Sequence, residues 1–246
     1  MVLVALVLGI GVAGCATTSP AEHIERAAMQ GIPTGFINKT MEVRGETRAY
    51  VVYVPREYDP AKEWPLIVFL HGAGERGDDG LHQTEVGIGT AIREHPDRFP
   101  ALVVMPQCPK DVWWDDAIPD IDMSIARTVD EYNVDSSRIY LTGISMGGYA
   151  TWMYGAQHVD RFAALMPICG GGNPADAAQL AQRPIWAFHG AIDQVVRPEE
   201  SKKMVKAVEE ADGDVQLTLY EDVGHVSWDK AYGDKKAIRW LLRQEK

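Results

Sequence analysis

The chain carries only three cysteines, at positions 15, 108 and 169, and no two of them stand in a Cys-x-x-Cys spacing. Three such residues are too few for a disulfide scaffold. Basic charge is also short: 24 Lys plus Arg face 35 Asp plus Glu, a formal net charge of −11, and no extended run of basic residues appears. That disfavours a nucleic-acid binder, whose affinity comes from a positive patch against phosphates. Internal repeats, low-complexity tracts and interior linkers are missing as well, which leaves a single large domain. What is present is ordinary for a globular protein, with 46% apolar and 24% charged residues. At 246 residues the chain buries a sizeable core without metal or disulfide staples.

Residues 1–14 hold no charge and are nearly all apolar. At 1.5 Å per residue they are too short to cross roughly 30 Å of hydrocarbon, and they read as the hydrophobic part of a secretory signal. The run ends in Val12-Ala13-Gly14-Cys15, which resembles a bacterial lipobox, where the peptide is cut before a cysteine that then carries lipid. The expected organisation is a signal peptide over residues 1–15 with Cys15 as first mature residue, a tether over 16–30 and a catalytic domain over 31–246. No Lys or Arg precedes the apolar run, the first being Arg26, so a basic leader is missing or the true start lies upstream.

Two alternating stretches, Phe36 to Val43 and Arg48 to Val54, predict an antiparallel hairpin. Short continuous apolar runs follow at Leu66–Leu70, Leu102–Met105, Ile139–Leu141, Phe162–Ile168, Ile185–Phe188 and Val215–Tyr220. Continuous apolarity predicts strands buried on both faces of a parallel sheet. Between them, Ile118, Ile121, Ile125, Val129 and Tyr132 step along one helical face. Pro198 opens a second helix that closes at Gly213, and Asp234 is placed to cap a third. The fold class is α/β, a mostly parallel, doubly wound sheet with an N-terminal antiparallel hairpin.

The strand Arg138 to Thr142 runs into Gly143-Ile144-Ser145-Met146-Gly147 and then into a helix. G-x-S-x-G in that context is a turn that lifts a serine hydroxyl above the sheet, with glycines where a Cβ would collide. A serine needs a base and an orienting acid, in the chain order Ser, acid, His. Of the seven histidines only His225 falls in a loop at the right edge of the sheet after the serine. Asp193, after the strand Ile185–Phe188, fits the acid, with Asp176 as runner-up and an Asx turn ahead of Pro198 as the plainer reading of Asp193. Oxyanion donors are expected from the backbone N–H of Met146 and, in the loop His71-Gly72-Ala73-Gly74, of Ala73. His71 and His189 read as buried, hydrogen-bonded residues rather than catalytic groups.

The blocks LIVFLHGAGERGD, VVMPQCP, RIYLTGISMGGYATW, PICGGG, WAFHGAIDQVV and DVGHVSW together resemble the α/β-hydrolase superfamily. More narrowly they are similar to bacterial carboxylesterases of the phospholipase/carboxylesterase, polyhydroxybutyrate depolymerase and feruloyl esterase-like branch. The resemblance implies an α/β-hydrolase fold, Ser145, Asp193 and His225 as triad, and Ala73 and Met146 as oxyanion donors. It implies no metal or organic cofactor. The partner expected is a small-molecule or polymer-attached ester, with membrane contact through the lipid anchor alone. Only sixteen residues separate Ile168 from Ile185, where many of these hydrolases insert a cap, so no cap domain and an open cleft are expected. Trp113, Trp114 and Trp228 are candidate pocket walls, and Glu75, Arg76, Asp78 and Asp79 a candidate rim. With the usual strand order, Cys108 and Cys169 lie three strand positions, roughly 14 Å, apart. A bridge tolerates at most about 7 Å between Cα atoms, so two buried thiols are expected. A peptidase of the prolyl-oligopeptidase type shares this triad, and a non-catalytic envelope lipoprotein is the reading from another class.

Overall fold

Each apolar run supplies two cores at once. In the computed structural model, which describes residues 31–246, β3 (Trp64–Leu70) sends Leu66, Val68 and Leu70 to one face of a sheet and Ile67 and Phe69 to the other. β4 (Leu102–Pro106) divides its side chains the same way, with Leu102 and Val104 opposite Val103 and Met105. Continuous rather than alternating hydrophobicity is therefore what these strands require. Residues 1–30, with the expected signal, Cys15 and tether, lie outside the described residues.

The sheet has eight strands in the order β1-β2-β4-β3-β5-β6-β7-β8. β1 (Gly35–Val43) and β2 (Glu46–Val54) form the expected hairpin. Its turn is only Arg44-Gly45, both at positive φ, so pairing runs two residues nearer the turn than the alternation suggested. β2 lies antiparallel to β4, and from there β3, β5 (Val134–Ile144), β6 (Ala164–Ile168), β7 (Ile185–Gly190) and β8 (Val215–Tyr220) run parallel. Because β4 and β5 flank β3 on opposite sides, the strand order reverses there, and ligands of such sheets bind beyond the strand ends at that reversal. β8 departs from expectation: it is the outer strand and stays half-buried, unlike the fully buried β6.

Helices cover both faces. α1 (Ile88–Glu94), α6 (Trp228–Gly233) and α7 (Lys235–Leu241) pack one core through Ile88, Ile92, Tyr232, Ile238 and Leu241. α2 (Ile118–Glu131), α3 (Met146–Gln157) and α5 (Pro198–Glu210) pack the other through Ile121, Ile125, Trp152, Met204 and Val208. Asp234 caps α7 as expected, its Oδ1 accepting Lys236 N–H at 2.7 Å. Between β6 and β7 the chain makes a 3₁₀ turn and the one-turn α4 (Ala177–Leu180), and no cap domain is inserted there.

One helical face differs from the sequence reading. Val129 of α2 is 42% exposed, and Thr128 takes the core position instead. Burial of a threonine is tolerable because its Oγ1–H donates to Ser124 O at 2.7 Å, leaving no unpaired hydroxyl. Ile121→Ala is accordingly expected to cost about 2–5 kcal/mol and Val129→Ala less than about 0.5 kcal/mol. Urea unfolding of the two variants measures the difference.

Candidate active site

The serine stands where backbone meets backbone. Ser145, between β5 and α3, has φ 52° and ψ −114°. A Cβ on Gly147 would lie 1.9 Å from Leu70 O, and one on Gly143 would lie 2.3 Å from Gly147 O, so only glycine lets the turn close against β3. The strained turn is held by Ser145 N–H donating to Ile168 O at 3.0 Å and by Ser145 O accepting Tyr149 N–H at 3.0 Å. It projects Ser145 Oγ beyond the ends of the strands, at the N-terminus of α3.

His225 and Asp193 arrive from the loops after β8 and β7. His225 Nε2 lies 3.0 Å from Ser145 Oγ, and its Nδ1–H donates to Asp193 Oδ2 at 2.7 Å. The Asp193 side chain is fully buried, while that of His225 keeps 18% of its surface. Asp193 makes both kinds of contact at once. Oδ1 makes the Asx turn, accepting Val195 N–H at 2.8 Å and Val196 N–H at 3.0 Å, and this leaves Oδ2 for the histidine. The two loops are bonded to each other through Ile192 N–H and Val223 O at 3.2 Å. Asp176 sits in the 3₁₀ turn before α4 and, among the described residues, its side chain bonds no histidine.

Ala73 opens the 3₁₀ turn after β3, and Met146 is the first residue of α3. Neither backbone N–H finds an acceptor among the described residues, and the Ala73 loop passes close to the nucleophile, a Cβ on Gly72 falling 3.6 Å from Ser145 Cβ. Together they can receive a developing oxyanion. His71 fastens this loop. Its Nδ1–H donates to Gly72 O at 2.6 Å, its Nε2 accepts Cys108 N–H at 2.9 Å, and Trp114 Nε1–H donates to His71 O at 3.0 Å.

Sequence reasoning missed two further fasteners. Gln107 Oε1 accepts Gly80 N–H at 2.7 Å while its Nε2–H donates to Glu75 O at 3.1 Å. Arg76 donates to Ala73 O at 2.9 Å and to Val112 O at 3.3 Å. The candidate rim residues are thus partly structural: Arg76 braces the oxyanion loop, and Asp79 Oδ1 accepts Leu81 N–H at 2.6 Å and His82 N–H at 3.0 Å. Burial pushes the Glu75 carboxyl above the usual range, against backbone hydrogen bonds that favour its charged form.

Beside Met146 opens an apolar pocket of about 220 Å³, walled by Trp113, Trp114, Tyr149, Met153 and Gly172. Two of the three candidate tryptophans belong to it. Trp228 does not: it stands edge-on to the His225 ring at 5.4 Å and 85°, where it packs the base. A larger polar hollow of about 830 Å³, lined by Lys39, Tyr50, Asp78 and Arg127 among others, contains none of the triad.

Among the described residues Cys108 and Cys169 are unpaired, and both are buried, with burial pushing each thiol up to about 12. Cys169, Asp193 and His225 bring possible ligand atoms within 4.8 Å of one another. Of these, the Asp193 and His225 atoms bond each other.

Residues 91–237, more than half of the chain and all three of Ser145, Asp193 and His225, match the dienelactone hydrolase family. The chain belongs to that family and has the α/β-hydrolase fold. Among its relatives, a bifunctional acetylxylan esterase/xylanase of Neocallimastix patriciarum is 31% identical over 183 residues, which are 69% of this chain and 25% of that protein. The structure of a thermostable esterase superposes with a TM-score of 0.79 at 35% identity, covering 86% of this chain and 63% of the other. A feruloyl esterase module from Clostridium thermocellum, complexed with sinapinate, shares the fold at a TM-score of 0.69 and 17% identity, covering 85% and 88%. The chain spans a quarter to a half of the length of the first curated relatives it matches.

His71 gives this site a pH-dependent foundation. Burial pushes it down from 6.5 to about 4, so on acidification the unfolded chain takes up a proton that the folded one refuses. Stability from this group is complete above pH 6.5 and is lost as pH falls towards 4, by roughly 3 kcal/mol in all. Urea unfolding across that window is expected to show a steeper loss in the wild type than in His71→Asn.

Proposed function

We propose that this chain is a serine carboxylesterase that works through an acyl-enzyme on Ser145. The observation that carries the reading is the unbroken line Ser145 Oγ, His225 Nε2, His225 Nδ1, Asp193 Oδ2, with steps of 3.0 and 2.7 Å. Ser145 Oγ attacks the ester carbonyl carbon as His225 Nε2 takes its proton. The carbonyl oxygen, now negative, sits on the N–H groups of Ala73 and Met146. When the tetrahedral centre collapses, the C–O bond to the alcohol breaks and His225 returns the proton to the leaving oxygen. Water then repeats the sequence on the acyl-enzyme and frees the acid. Asp193 holds the ring in the tautomer that leaves Nε2 free to accept.

The ester class follows from the pocket. About 220 Å³ between two tryptophans, a tyrosine and Met153 accommodates a short acyl chain or one aromatic ring, and no cap supplies further apolar wall. Supporting this are the names of the relatives, an acetylxylan esterase/xylanase and a feruloyl esterase module complexed with sinapinate. Turnover of p-nitrophenyl acetate or methyl ferulate is expected to exceed that of the palmitate ester by more than about tenfold. Ser145→Ala is expected to lose at least about ten-thousandfold in kcat. Equal, slow rates for wild type and variant defeat the esterase reading.

The catalytic unit is further proposed to be exported and held at the bacterial envelope by lipid on Cys15. The support is the sequence Val12-Ala13-Gly14-Cys15 after an apolar run. In cells, Cys15→Ser protein is expected in the soluble fraction and wild type with the membranes; membrane association of both defeats the anchor.

A further inference from the structure

The triad acid has a second histidine on it. His189, the fifth residue of β7, is completely buried, and its Nε2 lies 3.3 Å from Asp193 Oδ2, the same oxygen that accepts His225 Nδ1–H. Nε2 also lies 3.0 Å from Val196 O. Facing two acceptors, Nε2 must carry the proton, because a lone pair there would oppose both oxygens. Nδ1 is then the acceptor, and it shares the one hydrogen of Ser201 Oγ of α5, 2.7 Å away, with Gly170 O, 2.9 Å from the same hydroxyl. This shared contact ties α5 to the loop after β6.

We propose that His189 is a positioning residue of the reaction: its Nε2–H is the second side-chain donor on the Asp193 oxygen that holds His225. The proposal rests on the esterase reading for its consequence, though not for its geometry. With two backbone N–H groups on Oδ1, His225 Nδ1–H on Oδ2 and His189 Nε2 3.3 Å from that same oxygen, the carboxylate has one orientation. Sharing Oδ2 also limits how strongly Asp193 supports a proton on His225. The charged and titratable groups acting on His189 are Asp193 and His225, and burial favours its neutral form, so it donates without adding a positive charge beside the base.

Two substitutions separate donation from packing. The amide nitrogen of His189→Gln can reach the Nε2 position, whereas that of His189→Asn stops short, near Nδ1. The readouts are the pH titration of the His225 ring by NMR and kcat and KM for p-nitrophenyl acetate, on variants whose fold is checked by circular dichroism. In His189→Asn the His225 midpoint is expected to rise by about half a unit or more, with kcat falling about 10- to 100-fold at little-changed KM. His189→Gln is expected to restore most of both. A folded His189→Asn with wild-type midpoint and kcat overturns the proposal, as does His189→Gln behaving like His189→Asn. Should His189→Asn not fold, Ser201→Ala frees Nδ1 and is expected to move the midpoint in the same direction, an unchanged midpoint again overturning it. Absence of turnover by the wild type defeats the esterase reading alone, since the NMR titration still decides the role of His189.

Discussion

The approach of Gly147 to the carbonyl of Leu70 is the constraint from which the rest of the site follows. A β-carbon at that position would stand 1.9 Å from the oxygen. With none there, the start of α3 packs directly against the end of β3, and Ser145 is held at positive φ above the sheet. The loop after β3 also lies beside the serine, a Cβ on Gly72 falling 3.6 Å from Ser145 Cβ. A looser turn would keep every residue of the triad and lose the geometry that relates them.

The acid and the base are located by a second device, the pairing of two loops. Gly190, at the end of β7, passes so near the loop after β8 that a Cβ there would lie 2.1 Å from Gly224 O. Asp193 and His225 are thereby set face to face although 32 residues separate them. Asp193 divides its oxygens between shaping its own loop and holding the base, and this division is why a buried, charged side chain is tolerable there. The oxyanion loop is secured more diffusely, by His71, Arg76 and Gln107.

Much of this was legible in the sequence because the chemistry imposes order on the chain. Ser145 follows a strand and precedes a helix, and only one histidine and one favoured aspartate lie in loops at the correct edge downstream. Strand identities were legible for a related reason: residues such as those of Leu66–Leu70 feed two cores, which demands unbroken hydrophobicity. What was not legible depends on contacts between distant segments. Hydropathy assigns Val129 to the core over Thr128, yet the decisive fact is a hydroxyl satisfied by Ser124 O. Three tryptophans look equivalent in sequence, and only packing sends Trp228 to His225 and the other two to the pocket. Gln107 is one polar residue in an apolar block, with nothing local to mark it as the clasp of the oxyanion loop.

The central claim is that an acyl group passes through Ser145. Rapid-quench mass spectrometry of the protein mixed with p-nitrophenyl acetate, followed by peptide mapping, measures this directly. The expected result is a single acetyl group on the peptide containing Ser145, formed during turnover and absent from Ser145→Ala. Turnover without any acyl-protein, or an acetyl group that forms and decays on another residue, contradicts it.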